Sequence, residues 1–132
     1  MRRLAALLLY AVAPGCALPP AANDAAAPAP EKAAAPAPAF SAIGRDIHAM
    51  VFDPAMAAEA IRDAAKDRCG AAAFCQVHGW TARREAARAM PMTDPEVAAM
   101  GFTYTVNRSS GFESAMWDCR RWPRPAAECL PR

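Results

Sequence analysis

The sequence predicts a small α+β domain, stabilised by disulfides and carried on a linker, and three observations point that way. Phe102–Asn107 alternates apolar and polar residues and is followed by a turn and a returning segment. A helix between Asp53 and Gly70 has legible start and stop signals. Four cysteines (Cys69, Cys75, Cys119 and Cys129) lie in the same part of the chain. Two or three helices with a small antiparallel sheet containing a β-hairpin make an α+β arrangement.

The elements follow in order. Phe40, Ile43, Ile47, Met50 and Val51 recur at helical spacing, which predicts a helix over 42–52. Asp53-Pro54 restarts the chain, because Asp caps a helix well and Pro is tolerated at its first position. The helix then runs over 54–68, with Met56, Ala60, Ile61, Ala64 and Ala65 as its apolar side and Gly70 where a left-handed cap residue belongs. Residues 74–81 read as a strand, with Cys75, Val77 and Gly79 facing opposite to Phe74, His78 and Trp80. Residues 81–89 suit a short arginine-rich helix. Thr93-Asp94-Pro95-Glu96 has the spacing of a capping box, so a short helix should follow to Met100 and stop at Gly101. Phe102, Tyr104 and Val106 share one face of the next strand, 108–111 supplies a turn, and 112–119 returns as the second arm of the hairpin.

The first 39 residues differ in kind. Met1-Arg2-Arg3 is a positive start, an apolar run follows from Leu4 to Ala13, and Pro14-Gly15-Cys16 closes it. A charged start, a short apolar stretch and small residues at its exit describe an export signal over 1–15. The run is shorter than the roughly 20 apolar residues of a transmembrane helix. The alternative is a secretory leader cut after Ala11-Val12-Ala13. From Ala17 to Ala39 the chain is almost entirely Ala and Pro. Ala-Pro units fix φ and remove donors, so 16–39 should be an extended spacer at about 3.1 Å per residue, reaching roughly 70 Å at most. The folded domain is expected over 40–132.

The segment ending in Gly15-Cys16 resembles the lipobox of bacterial lipoproteins, with Ala13 where leucine is usual. That resemblance implies a lipidated Cys16 as the new N-terminus, and Ala17 in place of Asp implies the outer membrane facing the periplasm. A soluble periplasmic or secreted protein is the alternative. Two acyl chains are what stable anchoring requires, and a spacer behind an anchor holds a domain off the membrane.

Composition excludes more than it assigns. Of 132 residues 36 are alanine, so a 55 % hydrophobic content overstates the material for a core. Removing Arg2 and Arg3 with the leader leaves 13 basic and 13 acidic residues, a neutral balance that argues against nucleic acid as a partner. Four cysteines in an exported chain read as two disulfides. Three connectivities exist, and Cys69–Cys75 with Cys119–Cys129 is favoured on local reach. Loop entropy points the other way, at roughly 2.4 and 2.8 kcal/mol for the short loops against about 4.3 for a Cys69–Cys129 bridge. A zinc site from Cys75-x-x-His78 with Cys69 competes, but no second tight ligand pair exists and exported thiols oxidise first.

No cofactor motif and no nucleophile elbow is present, and Ser109, Ser110 and Ser114 lie in or beside a turn. His48 and His78 are the only imidazole bases, read as an exposed helix residue and a strand residue packed by Trp80. Asp46, Glu113 and Asp118 are scattered carboxylates rather than a pair for glycan cleavage. Trp80 and Trp117 are expected in the core. Candidate binding residues are Arg120, Arg121, Trp122 and Arg124, since Arg beside Trp can grip phosphate or carboxylate and stack on a ring. These residues favour a non-catalytic binding module whose partner is an envelope protein or an anionic envelope polymer. The alternatives are an inhibitor of a lysozyme-type cell-wall hydrolase and a small periplasmic enzyme using His78.

Overall fold

In a computed structural model of the chain, which describes residues 36–131, five strands form a single mixed sheet in the order β1-β2-β3-β4-β5. The strands are β1 (Ala39–Gly44), β2 (Ile47–Val51), β3 (Phe74–Trp80), β4 (Phe102–Asn107) and β5 (Phe112–Trp117). Helix α1 (Ala58–Cys69) connects β2 to β3, and α2 (Asp94–Ala99) precedes β4. The export signal, Cys16 and the Ala/Pro spacer to Ala35 lie outside the described residues. Among the described residues no helix is long and apolar enough to cross a membrane.

The α+β class stands, but the sheet is mixed rather than antiparallel. Strands β2 and β3 pair in parallel from Ile47↔Gln76 to Val51↔Trp80. The cause is α1: parallel neighbours need a crossover long enough to return the chain to the same end of the sheet, and a helix supplies it. The other three pairings are antiparallel, and β4 and β5 pair from Phe102↔Trp117 to Asn107↔Phe112 around the turn at 108–111.

The expected helix over 42–52 is instead β1, a turn at Arg45-Asp46 and β2. The pairing slips between Ala42 and Gly44, so Ile43 sits in a bulge. A bulge breaks the period of two, and together with the turn it leaves apolar residues three and four apart, which imitates a helix. Asp46 takes the left-handed turn conformation (φ 57°), and its carbonyl accepts from the Gln76 N–H at 2.9 Å, tying the turn to β3. Residues 81–89 form turns rather than a helix. A helix that short is marginal in water, and packing prevails: Ala86 and Ala87 are buried with Ile43, Ala49 and Trp80, while the Met90 N–H donates to the Ile43 carbonyl at 2.9 Å. The long helix begins at Ala58 rather than Pro54, because the Ala55 N–H bonds the Asp53 carboxylate at 2.8 Å and holds the start in a separate turn.

The main core lies between α1 and the sheet. Ile61, Ala65 and Cys69 of α1 are buried against Met50, Val77, Phe102 and Tyr104. Burying a side chain such as Ile61, which is fully covered, contributes about 1.5–3 kcal/mol. Ala65 contributes by being small, letting the helix lie close to β3. Gly70 at φ 50° ends α1, donating its N–H to the Lys66 carbonyl at 2.9 Å. The chain then turns back so that Cys69 bonds Cys75 in β3, with a Cα–Cα distance of 5.6 Å. The second disulfide, Cys119–Cys129, ties the C-terminal segment to the end of β5. On the opposite face, α2 lies over Trp80, whose indole N–H donates to the Glu96 carbonyl at 2.8 Å. The capping box is present, with the Thr93 N–H donating to the Glu96 carboxylate at 2.7 Å.

Gly79 sets the spacing of this core, since a Cβ there would lie 2.8 Å from Phe52 and 3.1 Å from Phe102. Both rings are buried and neither can move aside. Gly79→Ala should therefore cost about 1–3 kcal/mol of overpacking, read as a lower urea midpoint at unchanged slope.

Candidate binding groove

The residues with catalytic potential do not converge. His48 pairs in register with Val77 and faces α1, where Arg68 Nη2 lies 3.4 Å from its Nδ1. His78 pairs with Ala49 and so faces the other side of the sheet, where its Nδ1 is 3.2 Å from the Thr103 hydroxyl. Contrary to the helical reading, His48 is thus a half-buried strand residue. Burial, then the Arg68 charge, lowers the His48 pKa, with Asp46 opposing; burial alone lowers that of His78. Cys75 is consumed by its disulfide, so the Cys75-x-x-His78 zinc set is not formed. No cluster of three or more metal-ligating side chains occurs among the described residues. Asp46 sits in the β1–β2 turn, and Glu113 and Asp118 lie at opposite ends of β5, so no carboxylate pair is built from them.

Of the four Arg/Trp residues after β5, Trp122 and Arg124 are half-buried, while Arg120 and Arg121 stay exposed with their head groups turned to Asp118. Asp118 is buried, and both its carboxylate oxygens are engaged by Arg120, at 3.0 Å from Nε and 3.1 Å from Nη2. Arg121 approaches the same carboxylate at 3.8 Å. Trp122 packs on Phe52 and Trp117, with ring centroids 5.7 and 6.1 Å away, over the space left by Gly101. Arg124 lies over the Trp117 ring at 5.3 Å and reaches Glu59 of α1 at 3.3 Å. Arg120 and Arg121 fasten the tail through Asp118, Arg121 and Trp122 line a shallow recess of about 330 Å³ with Pro54 and Thr81, and Arg124 joins a second, larger recess. As expected, Trp80 and Trp117 are core residues.

The larger recess is a groove of about 490 Å³ between α1, the outer strand β5 and the tail. Tyr104, Ala115 and Trp117 of the sheet line it, with Glu59 and Arg62 from α1, Glu113 from β5, and Arg124 and Glu128 from the tail. Glu113 accepts from Lys66 at 2.9 Å and from the Tyr104 hydroxyl at 3.2 Å, and these two bonds hold its carboxyl below the ordinary carboxylate range. Tyr104 is shifted upward, first by burial and then by its bond to Glu113. Glu59 is lowered by its own backbone N–H and by Arg124. The ion pairs are exposed and individually weak, but they set the positions of Glu59, Glu113 and Arg124. Arg62 and Glu128 have no ion pair among the described residues.

Sequence reasoning missed most of this groove. Glu59, Arg62 and Lys66 are spaced three and four apart and so share one helix face, the one sequence signal by which a charged stripe could have been found. What lay opposite that stripe could not be read, because it depends on where β5 and the tail fall.

Two outcomes follow. Asp118→Ala should remove the anchor of the tail, costing about 1–3 kcal/mol and exposing Arg120 and Arg121 to trypsin, followed by mass spectrometry of the nicked chain. The buried imidazoles set the second. Their folded pKa values lie below the unfolded value of 6.5, so the unfolded chain binds protons first and stability is lost as the pH falls through that value. His78→Gln should accordingly lose less thermal stability than wild type between about pH 7 and about pH 5, with a residual slope from His48.

Comparisons of the chain with protein-family models, with curated proteins and with solved structures found no match.

Proposed function

We propose that the chain is a non-catalytic binding module of the bacterial cell envelope, exported and held to the outer membrane through a lipidated Cys16 on its Ala/Pro spacer. The observation that carries the binding part is the groove beside β5. It has an aromatic and alanine floor, and charged walls in which Glu59, Glu113 and Arg124 are held by ion pairs while Arg62 and Glu128 make none among the described residues. Recognition sites commonly pair an apolar floor with a few positioned polar groups. The two histidines lie on opposite faces of the sheet, His78 meets the Thr103 hydroxyl away from the groove, and neither adjoins a carboxylate pair among the described residues, an arrangement that favours binding over turnover. The envelope part rests on the lipobox resemblance and on the two disulfides, which suit an oxidising compartment.

The experiment is co-sedimentation of the mature protein with purified envelopes, together with its intact mass. The mass should equal the chain from Cys16 with its acyl groups and four fewer thiol hydrogens. For the binding part, Arg62→Ala should reduce retention of an unlipidated Cys16→Ser form by roughly tenfold, the scale of one charge-assisted hydrogen bond. Retention equal to that of the parent would overturn the groove as the binding surface.

A further inference from the structure

We infer that the groove takes an extended segment of a partner protein, added as a sixth strand along the free edge of β5 and bearing a carboxylate that reaches Arg62. The inference rests on the binding reading above and names its partner class.

The hydrogen-bond pattern gives the direction of each backbone group on β5. The Asp118 N–H donates to the Gly101 carbonyl at 2.8 Å, so Asp118 points its backbone toward β4. The Trp117 carbonyl accepts from the Leu130 N–H at 2.8 Å, so Trp117 points outward. In an antiparallel pair these orientations alternate. Ala115 and Glu113 therefore direct their N–H and C=O away from the sheet, and no backbone partner for them occurs among the described residues. The edge accepts a strand in this very structure: Cys129 and Leu130 run parallel to β5 and bridge it at Trp117. Before that point the chain coils into a single 3-10 turn, Ala126–Glu128, which lies against β5 without pairing with it. The vacant stretch continues the same ladder.

Its dimensions select the occupant. Cys129 fills the position beside Trp117, with the Leu130 N–H on the Trp117 carbonyl, so only 112–116 is open, and the 3-10 turn walls that end. A six-residue β5 from a second copy would arrive with its own tail seated on its edge, whereas a short extended peptide meets no such obstacle. Residues of such a peptide that lie beside Glu113 and Ala115 direct alternate side chains over the groove. There Arg62 is the cation without an ion pair among the described residues, and a carboxylate is its complement. Backbone pairing then supplies affinity and the groove supplies selectivity, as in other strand-addition complexes.

The test exploits the outward N–H of Ala115. Because that group takes no part in the β4–β5 ladder, proline is tolerated there as on other sheet edges, yet it denies an incoming strand its donor. A phage-displayed library of random heptapeptides is selected on the full mature chain, and the recovered peptides are synthesised. Peptides should contain Asp or Glu, weaken about tenfold or more toward Ala115→Pro and toward Arg62→Ala, and lose binding when alternate peptide nitrogens are methylated. The methylated peptides give the same answer on unaltered protein should Ala115→Pro fail to fold. No enrichment, or peptides indifferent to both Ala115→Pro and methylation, would overturn the inference. A concentration-dependent dimer abolished by Ala115→Pro would overturn it in favour of a second copy. If the inference fails while Arg62→Ala still releases the chain from envelopes, the binding reading survives without it.

Discussion

The close contact between α1 and the central strand β3 is the constraint on which the remaining structure depends. Ala65 and Ile61 let the helix lie near Val77, and Cys69–Cys75 locks the end of the helix to the start of the strand. Once α1 is held there it must connect β2 to β3 in parallel, and that decides a mixed sheet. The helix is narrower than five strands. Centred over β3 and β4, it leaves β5 uncovered on that side, and the groove is the space so left. Arg108 reinforces the seam from the far side, its guanidinium donating to the carbonyls of Ala72 and Gly70.

The tail completes what the helix does not cover. Asp118 is buried at the end of β5 and holds Arg120 and Arg121, which turns the chain so that Trp122 drops into the aromatic cluster of Phe52 and Trp117. A buried carboxylate without such partners would be costly, and Arg120 and Arg121 supply them while their own side chains stay exposed. Cys119–Cys129 then returns the chain to β5, capping one end of its edge. The groove, its charged walls and the free stretch of edge all descend from these two fastenings.

Legibility in the sequence followed the range of the interactions. The capping box at Thr93 and Glu96, the β4 alternation and the end of α1 at Gly70 are set by contacts within a few residues, and each was readable. The β1–β2 segment was not. Its pairing depends on a bulge at Ile43 and on the bond from Gln76 to Asp46, a partner thirty positions away. Residues 81–89 carried helix-forming alanine and arginine, but the contacts of Ala86 and Ala87 with β1 and β2 outweighed a weak local preference. For the site, Arg124 was named among the candidates for its charge, while Glu59 and Arg62 passed unnoticed, since a charged helix face is ordinarily just solvated.

What the sequence determined by itself was the α+β class, four cysteines that read as two disulfides, and the core placement of Trp80 and Trp117; the local pairing, Cys69–Cys75 with Cys119–Cys129, came from the structure. The first three depend on composition, short-range spacing and the poverty of other large side chains. The tertiary structure alone decided that the sheet is mixed, that Trp122 packs on Phe52, and that Arg62 and Glu128 line one groove. The physical reason is that each of those facts is a distance between segments far apart in the chain, and such distances exist only after α1 has docked and the tail has closed.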